Sequence, residues 1–455
     1  MSFMPGAFVA LASLFLCAAP PKRPTKPAKP APVTVDIPVA GAQAEWLDFA
    51  TGRSKPVGAM AETRTAQQAT AFPDGRVLVT GGTLKNGSTE WFDPATRRFS
   101  PGPSLTQPRQ GHRAVLSTRG QLVVVGGTEN PAPAEVLGPG ATVFKPIVGA
   151  TFSLSTVAVA LDEGVLLVDG QQGRSWLWNG TELKAKGDLN RARALFQALV
   201  LPDGRVLVSG GWPFQKETRQ GKSRVKSLPP PDLPVEIYLP AKGRWSAWKA
   251  SLLPRAQARM ALIDKQHVLI FGGTDASAEH AEPRVERLDL AAESAQIVGS
   301  LAVGVEPALL ETPQGLRLLA EGERRLQALG LEPLKLESAS LQLANGFMAP
   351  LIASLKEGAL VLGSPTWGPS LERTEPRLRQ PQLLGALRAG TTGLTVLDGK
   401  VLALGDVVDE VDPRSGALTP LGWKDDLATR LKKAKGGPDS VKLPRGIVLN
   451  LKTTP

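Results

Sequence analysis

One string of residues occurs twice in this chain almost unchanged, as FPDGRVLVTGG at residues 72–82 and as LPDGRVLVSGG at residues 201–211. Self-similarity at spacings of tens of residues indicates an array of small structural units that cannot bury their apolar faces alone. The repeat therefore constrains the fold more strongly than it constrains the chemistry.

Each copy of the string predicts a β-hairpin. An apolar strand ends at Asp-Gly, which supplies the positive φ of a two-residue turn, and a Val/Leu-rich strand then runs into two glycines. Weaker copies occur at residues 120–127, 163–170, 265–273 and 399–406, and worn copies lacking one glycine of the pair occur at 315–322 and 357–364. The sequence therefore predicts eight hairpins.

A second pattern follows several of these hairpins. It consists of a strand, a turn centred on Pro or Gly, and a short final strand with an aromatic residue, as in TEWFDPATRRF at 89–99 and VEIYLPAKGRW at 235–245. Two consecutive hairpins make a four-stranded meander, and meanders that recur about every 40–50 residues are the blades of a β-propeller. The predicted fold class is all-β.

These repeats resemble the kelch family of β-propellers over about residues 45–423. The residues that carry the resemblance are the double glycines Gly81-Gly82, Gly126-Gly127, Gly210-Gly211 and Gly272-Gly273 and the later aromatics Phe99, Phe144 and Trp245. The resemblance extends to the propeller of galactose-oxidase-like proteins. It implies that the later aromatics pack between adjacent blades.

The first strands of the repeat region lack a partner hairpin upstream. Residues 44–58 read as a second-hairpin pattern, AEWLDFATGRSKPVG, that precedes every double glycine. Because a propeller removes open sheet edges by closing its ring, we expect these strands to complete the last blade, beside residues 394–404 or 441–451. The prediction is a closed ring of seven or eight four-stranded blades, and the alternative is an open array of sheets.

The ends of the chain differ from the repeats. We predict a signal peptide at 1–19, a Pro/Lys-rich tether at 20–36, the propeller at 37–423, and a basic extension, with a closing strand as one option, at 424–455. The apolar run at 3–19 is too short for a membrane-spanning helix of about 20 residues, and a buried strand is the alternative. We therefore expect a bacterial protein exported to the periplasm, the outer membrane or the outside of the cell.

Cys17 is the single cysteine and lies at the end of this apolar run. Its surroundings resemble a bacterial lipoprotein box, although Leu16 stands where the box has a small residue. Cys17 is thus a candidate for lipidation, and the alternative is simple cleavage near Ala18 or Ala19.

The formal net charge of +11 lies in three appendages, namely residues 20–32, an insertion at 215–229 and residues 424–452. The rest of the chain is close to neutral, which argues against a nucleic-acid groove. Basic appendages favour contact with anionic membrane surfaces or acidic polysaccharide, and solvated flexible charge is the alternative. We expect a monomer with a protein or acidic polysaccharide as its partner.

An arginine precedes the first strand of several repeats. These residues are Arg64, Arg109, Arg193, Arg255 and Arg388. On one face of a propeller they could grip carboxylates or sulfates bidentately, and the alternative is that they build the repeat by pairing with neighbouring blades. Trp212 is either an exposed platform for a sugar ring or a buried packing residue.

Copper-radical oxidases, which look like kelch proteins, need a tyrosine crosslinked to a cysteine and two histidine ligands. This chain has one tyrosine, Tyr238, and its histidines His112, His267 and His280 are scattered without ligand spacing. We therefore predict no cofactor or metal and a non-enzymatic binding propeller of the bacterial envelope.

The alternative to a binding propeller is a hydrolase or lyase acting on an acidic glycan. Carboxylates near the worn glycine turns, namely Asp169, Glu321 and Asp406, would then supply acid and base groups.

Overall fold

The computed structural model of the chain describes residues 44–452, except 214–232, 250–251, 276–279, 313–314, 321–322, 332–333, 345–346, 366, 375–381, 389–390, 416, 435–439 and 443–447. Nearly every regular element is a β-strand. None of the helices in these ranges is both long and apolar enough to cross a membrane. The predicted signal peptide, tether and Cys17 lie outside the described residues.

The first eighteen strands are β1 (Ala44–Asp48), β2 (Arg53–Pro56), β3 (Gln68–Ala71), β4 (Val77–Thr80), β5 (Thr89–Asp93), β6 (Arg98–Pro101), β7 (Arg113–Leu116), β8 (Leu122–Val125), β9 (Ala132–Leu137), β10 (Lys145–Phe152), β11 (Thr156–Leu161), β12 (Gly164–Asp169), β13 (Arg174–Trp178), β14 (Leu183–Ala185), β15 (Arg193–Ala194), β16 (Gln197–Val200), β17 (Val206–Ser209) and β18 (Trp212–Pro213). The next twelve are β19 (Glu236–Leu239), β20 (Arg244–Ala247), β21 (Arg259–Leu262), β22 (His267–Phe271), β23 (Arg284–Asp289), β24 (Ser294–Ser300), β25 (Ala308–Thr312), β26 (Gly315–Leu319), β27 (Arg325–Leu331), β28 (Leu334–Gln342), β29 (Phe347–Ser354) and β30 (Gly358–Pro365). The last eight are β31 (Trp367–Thr374), β32 (Gln382–Arg388), β33 (Gly393–Leu397), β34 (Lys400–Leu404), β35 (Val407–Val411), β36 (Leu418–Trp423), β37 (Ser440–Lys442) and β38 (Val448–Lys452). A 3-10 turn spans Pro240–Lys242, and a one-turn helix, α1, spans Ala428–Leu431.

Seven four-stranded antiparallel blades form a closed ring. Blades 1 to 6 are β3–β6, β7–β10, β11–β14, β16-β17-β19-β20, β21–β24 and β25–β28, and blade 7 is β29-β30-β1-β2. Among the described residues, seven apolar clusters each join two successive blades, and one of them joins blade 7 to blade 1. The fold is therefore a seven-bladed β-propeller, one of the two blade numbers that the sequence allowed.

Burial at the blade interfaces supplies most of the apolar core. At the junction of blades 7 and 1, the rings of Trp46 and Phe92 stack with their centroids 6.1 Å apart, and full burial of one such side chain contributes about 1.5–3 kcal/mol. The expected packing of the later aromatics is confirmed, because Phe99, Phe144 and Trp245 each belong to a cluster between adjacent blades.

The amino-terminal strands close the ring, as expected, but beside a different partner. Trp46 of β1 pairs with Leu360 of β30 in an antiparallel register, and β2 lies on the outer side of β1. The expected partners, residues 394–404 and 441–451, are strands of a separate unit. The ring is closed one repeat earlier than the sequence suggested.

The eight predicted hairpins all form, but the Asp-Gly turn is longer than predicted. Phe72 and Arg76 face each other through an N–H···O bond of 2.8 Å, and Gly75 donates to Phe72 at 2.9 Å. Only Gly75 has positive φ, at 86°. The loop is thus a turn followed by a left-handed glycine, because Pro73 holds its own φ negative inside the loop.

Residues after β30 build a second unit outside the ring. One sheet has the order β32-β31-β38-β37 and the other is β33–β36, and residues of both, among them Leu387, Leu394 and Leu449, share one apolar cluster. The predicted boundary at 423 is therefore wrong, since the ring ends with β30. The basic extension does contribute a strand, but β38 pairs with β31 rather than closing the ring.

The second unit is fastened to the strands that close the ring. The indole Nε1 of Trp423 donates to the backbone oxygen of Ser54 at 3.1 Å, and the guanidinium of Arg53 lies 5.0 Å from the Trp423 ring centroid. Arg388 of the second unit donates twice to Asp409 of the same unit, at 2.9 Å each, and its guanidinium also lies 3.9 Å from the carboxylate of Glu45 in β1. The unit thus holds the outer strand of blade 7 in place.

Candidate functional site at one mouth of the central channel

The five arginines singled out in the sequence are buried rather than exposed. Relative exposure is 7% for Arg388 and at most 1% for Arg64, Arg109, Arg193 and Arg255. This corrects the expectation that they form an accessible partner-binding ring, because four of the guanidinium groups lie inside blades and that of Arg388 lies inside the second unit.

Each of the first four guanidiniums forms an ion pair with a buried carboxylate of the same blade. The pairs are Arg64–Glu90, Arg109–Glu135, Arg193–Glu236 and Arg255–Glu286, with N···O distances of 2.5–3.0 Å. Each arginine also donates to the carbonyl of the first glycine of its blade's pair, 17 residues later. These arginines are repeat-building residues, as the alternative interpretation held.

The same loops tie successive blades together through the backbone. The carbonyl oxygen of Arg109 accepts the N–H of Gly82 in the preceding blade at 2.8 Å, and that of Arg255 accepts the N–H of Gly211 at 2.8 Å. Desolvation sets the main electrostatic cost of these pairs, since burial lowers the pKa of Arg255 and raises the pKa of Glu286. The loop arginines therefore hold the loops of the channel mouth from inside the blades.

Backbone strain recurs in these loops. Ala66, Leu195 and Gln257 each lie two residues after a buried arginine and have φ of 52°, 56° and 59°, and Gly111 holds the equivalent place at 69°. A non-glycine residue in this region costs on the order of 1–3 kcal/mol. Gly111 donates to Ala66, and Gln257 donates to Leu195, at 2.8 Å each. The strained residues thus join neighbouring loops around the mouth.

Four residues after each of these four buried arginines, an inner strand begins with a polar residue. These first residues are Gln68, Arg113, Gln197 and Arg259 in blades 1, 2, 4 and 5, and all four are partly exposed. Sequence reasoning missed Arg113 and Arg259. Their fixed spacing from the repeated arginines was the available signal.

Arg113 differs from the loop arginines because it has no counter-charge in contact. Among the described residues, none makes a hydrogen bond or an ion pair with its guanidinium. Burial, and then the positive charge of Arg259, lower the pKa of Arg113, while the negative charge of Glu306 opposes this shift. The Nε of Arg259 donates to the carbonyl of Pro307 at 3.2 Å. Arg259 and Glu306, which lie in later parts of the chain, thus act in opposite directions on the pKa of Arg113.

A cavity of about 250 Å³ lies beside Arg259. The inner strands of blades 4 to 7 line it, and its lining includes Gln197, Met260 and Leu351. Its volume is slightly below the roughly 300–1,000 Å³ typical of small-molecule sites. The arrangement can accept a group of about the size of one sugar ring, with cationic and amide donors on one side and apolar atoms on the other.

Trp212 lies on the same face but at its edge. It belongs to the two-residue strand β18, which pairs with β15 through Ala194, and its side chain is partly exposed. A role as a sugar platform stays a prediction.

Among the described residues, the carboxylates of the hydrolase alternative, Asp169 and Asp406, bind partners other than Arg113 and Arg259. Asp169 is fully buried and accepts from the backbone N–H and the hydroxyl of Ser153, at 2.6 and 2.8 Å. Asp406 is exposed and pairs with Arg324 at 3.1 Å. Glu321 lies outside the described residues. Asp169 therefore holds a turn, and the structure does not bring it to the channel arginines.

The three histidines occupy unrelated places. His112 is buried, with Nε2 2.8 Å from the hydroxyl of Thr80, whereas the Nδ1 of His267 lies 2.7 Å from Asp264. His280 is exposed. Within the described part of the chain, no three His, Cys, Asp or Glu side chains group as a metal site.

Comparison with known proteins gives a likeness in structure but none in sequence. No protein-family model and no curated protein sequence matches the chain. The structure is similar to a fungal alcohol oxidase of the AA5 family in complex with copper, with 13% sequence identity, 88% of each chain covered and a TM-score of 0.47. The prediction that the chain is not an enzyme is contradicted by this match, because the matched protein is an oxidase, and we withdraw it. At this similarity the match assigns neither copper nor an oxidation reaction to this chain.

Proposed function

We propose that this chain is a kelch-type propeller that binds an acidic polysaccharide of the bacterial envelope at the channel mouth. The observation that carries the proposal is Arg113, a partly exposed cation at the mouth that makes no ion pair within the described structure. A cation held inside a protein without a partner is unfavourable, so an incoming anion would relieve that cost. The kelch assignment rests on the double glycines, which have positive φ in all four pairs.

Shape favours a polysaccharide over a folded protein as the partner. The basic and amide side chains lie in a concave channel whose cavity holds about 250 Å³, whereas stable protein partners bury about 800 Å² of each surface. A chain of sugars can insert one residue into such a cavity. Binding to a protein would be an outcome of the test below.

The cellular setting is part of the same proposal. The apolar run at 3–19, the Pro/Lys-rich segment after it and Cys17 support export, with either lipid attachment or cleavage. The excess positive charge of the appendages supports proximity to an anionic surface. We propose that the protein acts there as a monomer.

The test is binding of the purified protein to polygalacturonate and to its methyl ester, which keeps the backbone and removes the charge. We expect retention by the acid form and at least ten-fold weaker retention by the ester, with loss of binding at high salt. Equal binding to both polymers would overturn the proposal. Reducing ends measured in the same samples would report cleavage, and they cover the hydrolase or lyase alternative. Envelope extract depleted of polysaccharide tests for a protein partner.

A further inference from the structure

We propose that Arg113 and Arg259 together bind one monoanionic oxyanion of a sugar residue, either a carboxylate or a sulfate ester, inside the channel mouth. This inference rests on the proposed function and deepens it, because it names the group that is recognised and the residues that recognise it. The buried loop arginines only position this pair.

The two arginines lie on nearly opposite sides of the ring. Arg113 begins the inner strand of blade 2 and Arg259 begins that of blade 5, which are three steps apart in a ring of seven. Each stands at the start of an inner strand, four residues after a buried loop arginine, so both lie at the same mouth of the ring. A ligand on the axis can therefore touch both.

Free donors remain on both guanidiniums. Arg259 uses Nε for the carbonyl of Pro307, and in the described structure its two terminal nitrogens make no hydrogen bond. Arg113 makes none at all with the described residues. A guanidinium carries five N–H donors in a planar fork that matches the two oxygens of a carboxylate or sulfate. The bond to Pro307 fixes the orientation of one fork before a ligand arrives.

Charge selects a monoanion over a dianion. Glu306 directly precedes Pro307, whose carbonyl accepts from Arg259, so the two arginines and this carboxylate together carry one positive charge. One carboxylate or sulfate ester neutralises it, whereas a phosphate monoester, with its charge of about −1.5 to −2 at neutral pH, would leave negative charge unpaired in a confined space.

The cavity beside Arg259 fits the rest of a sugar residue. The amide of Gln197 can donate to and accept from hydroxyl groups, and Met260 and Leu351 supply apolar atoms for the C–H face of the ring. The arginines thus recognise the charged group of the sugar residue, and the cavity recognises its pyranose ring.

The experiment is calorimetric titration with galacturonate, the uncharged methyl ester of galacturonate (called methyl galacturonate below) and galactose 6-sulfate. The proteins are the wild type, R113Q, R259Q, the double variant, and R205Q as a control for an arginine outside the channel. We expect each single variant to lose at least ten-fold in affinity for the charged sugars, the control to match the wild type, and methyl galacturonate to bind weakly throughout. The relative affinities of galacturonate and galactose 6-sulfate show whether the recognised group is a carboxylate or a sulfate ester.

Several outcomes separate this inference from the proposed function. If the double variant binds the charged sugars and polygalacturonate like the wild type, the inference is overturned while the proposed function stands. If charged sugars bind through the arginines but the polymer does not, the inference stands and the proposed function fails. If the wild type binds none of the charged sugars, the inference is wrong. Thermal midpoints equal to the wild type would show that R113Q and R259Q are folded.

Discussion

Replacement of Arg109 by Met tests whether the buried arginines hold the blades together. Arg109 is fully buried and donates to Glu135 at 2.8 Å, to the carbonyl of Gly126 at 2.7 Å and to that of Pro133 at 2.6 Å. The charge-assisted bond is worth about 2 kcal/mol and each carbonyl bond about 1 kcal/mol. The substitution also leaves the Glu135 charge buried with the N–H of Thr106 as its remaining donor. We expect R109M to lose about 3–5 kcal/mol of unfolding free energy.

The assay is urea unfolding followed by tryptophan fluorescence, applied to R109M, E135Q and the double variant. The double variant should be more stable than R109M, because it removes the uncompensated charge while the amide oxygen that replaces the carboxylate can still accept from Thr106. R205M serves as a control, since Arg205 pairs with Asp203 at the surface and its loss should have a small effect. A loss below about 1 kcal/mol in R109M, or a double variant no more stable than R109M, would refute the reasoning.

Three further predictions address the channel loops and the closure of the ring. Burial lowers the pKa of His112 from its usual 6.5 to about 3, so on acidification the unfolded state binds the proton before the folded state does. The contribution of this residue to the free energy of unfolding is therefore lost as pH falls from about 6.5 towards 3, by up to about 1.4 kcal/mol per pH unit. Urea titrations at several pH values should show a shallower slope for H112Q and an unchanged slope for H280Q. Gly81→Ala should destabilise by at least about 2 kcal/mol more than Gly75→Ala, because both glycines have positive φ but a Cβ at Gly81 would lie 2.6 Å from His112 Cε1, whereas Gly75 has open space; equal thermal midpoints would contradict this. Trp423→Ala should increase the rate of amide hydrogen exchange in β1 and β2 much more than in blade 3. An equal increase in both regions would contradict the inference that the second unit holds β2 in place.

Local features of this fold could be predicted from the sequence, because a hairpin depends on a few adjacent residues. All eight predicted hairpins form, including 399–406, yet that hairpin stands outside the ring. Membership of the ring depends on which strands meet after some 300 residues of chain, as when Glu45 accepts the N–H of Ala344, 299 positions away. No short string encodes such a contact, so the blade number stayed open and the domain boundary at 423 was wrong.

The candidate site was visible only in part for a related reason. The repeated arginines were found by their recurrence, but their burial depends on a glutamate two strands later. That glutamate recurs too, as the second residue of TEWFD and the first of EIYL, and pairing the two series would have predicted the buried ion pairs. Arg113 stands at a fixed spacing from the repeated arginines, which was an available signal. The electrostatic influence of Arg259 and Glu306 on it comes from other blades and could not be predicted from the local sequence.

Ring closure by β1 and β2 sets an order of events during synthesis. Strand β1 must wait for its partner β30 until about 300 further residues exist, because Asp48 pairs with Gly358. Contacts of such sequence separation form slowly, and the unpaired edges on both sides of the gap stay available to other chains in the meantime. A crowded nascent chain can therefore exchange its β1–β2 hairpin with a second copy. Slow, dilute expression should favour the monomer.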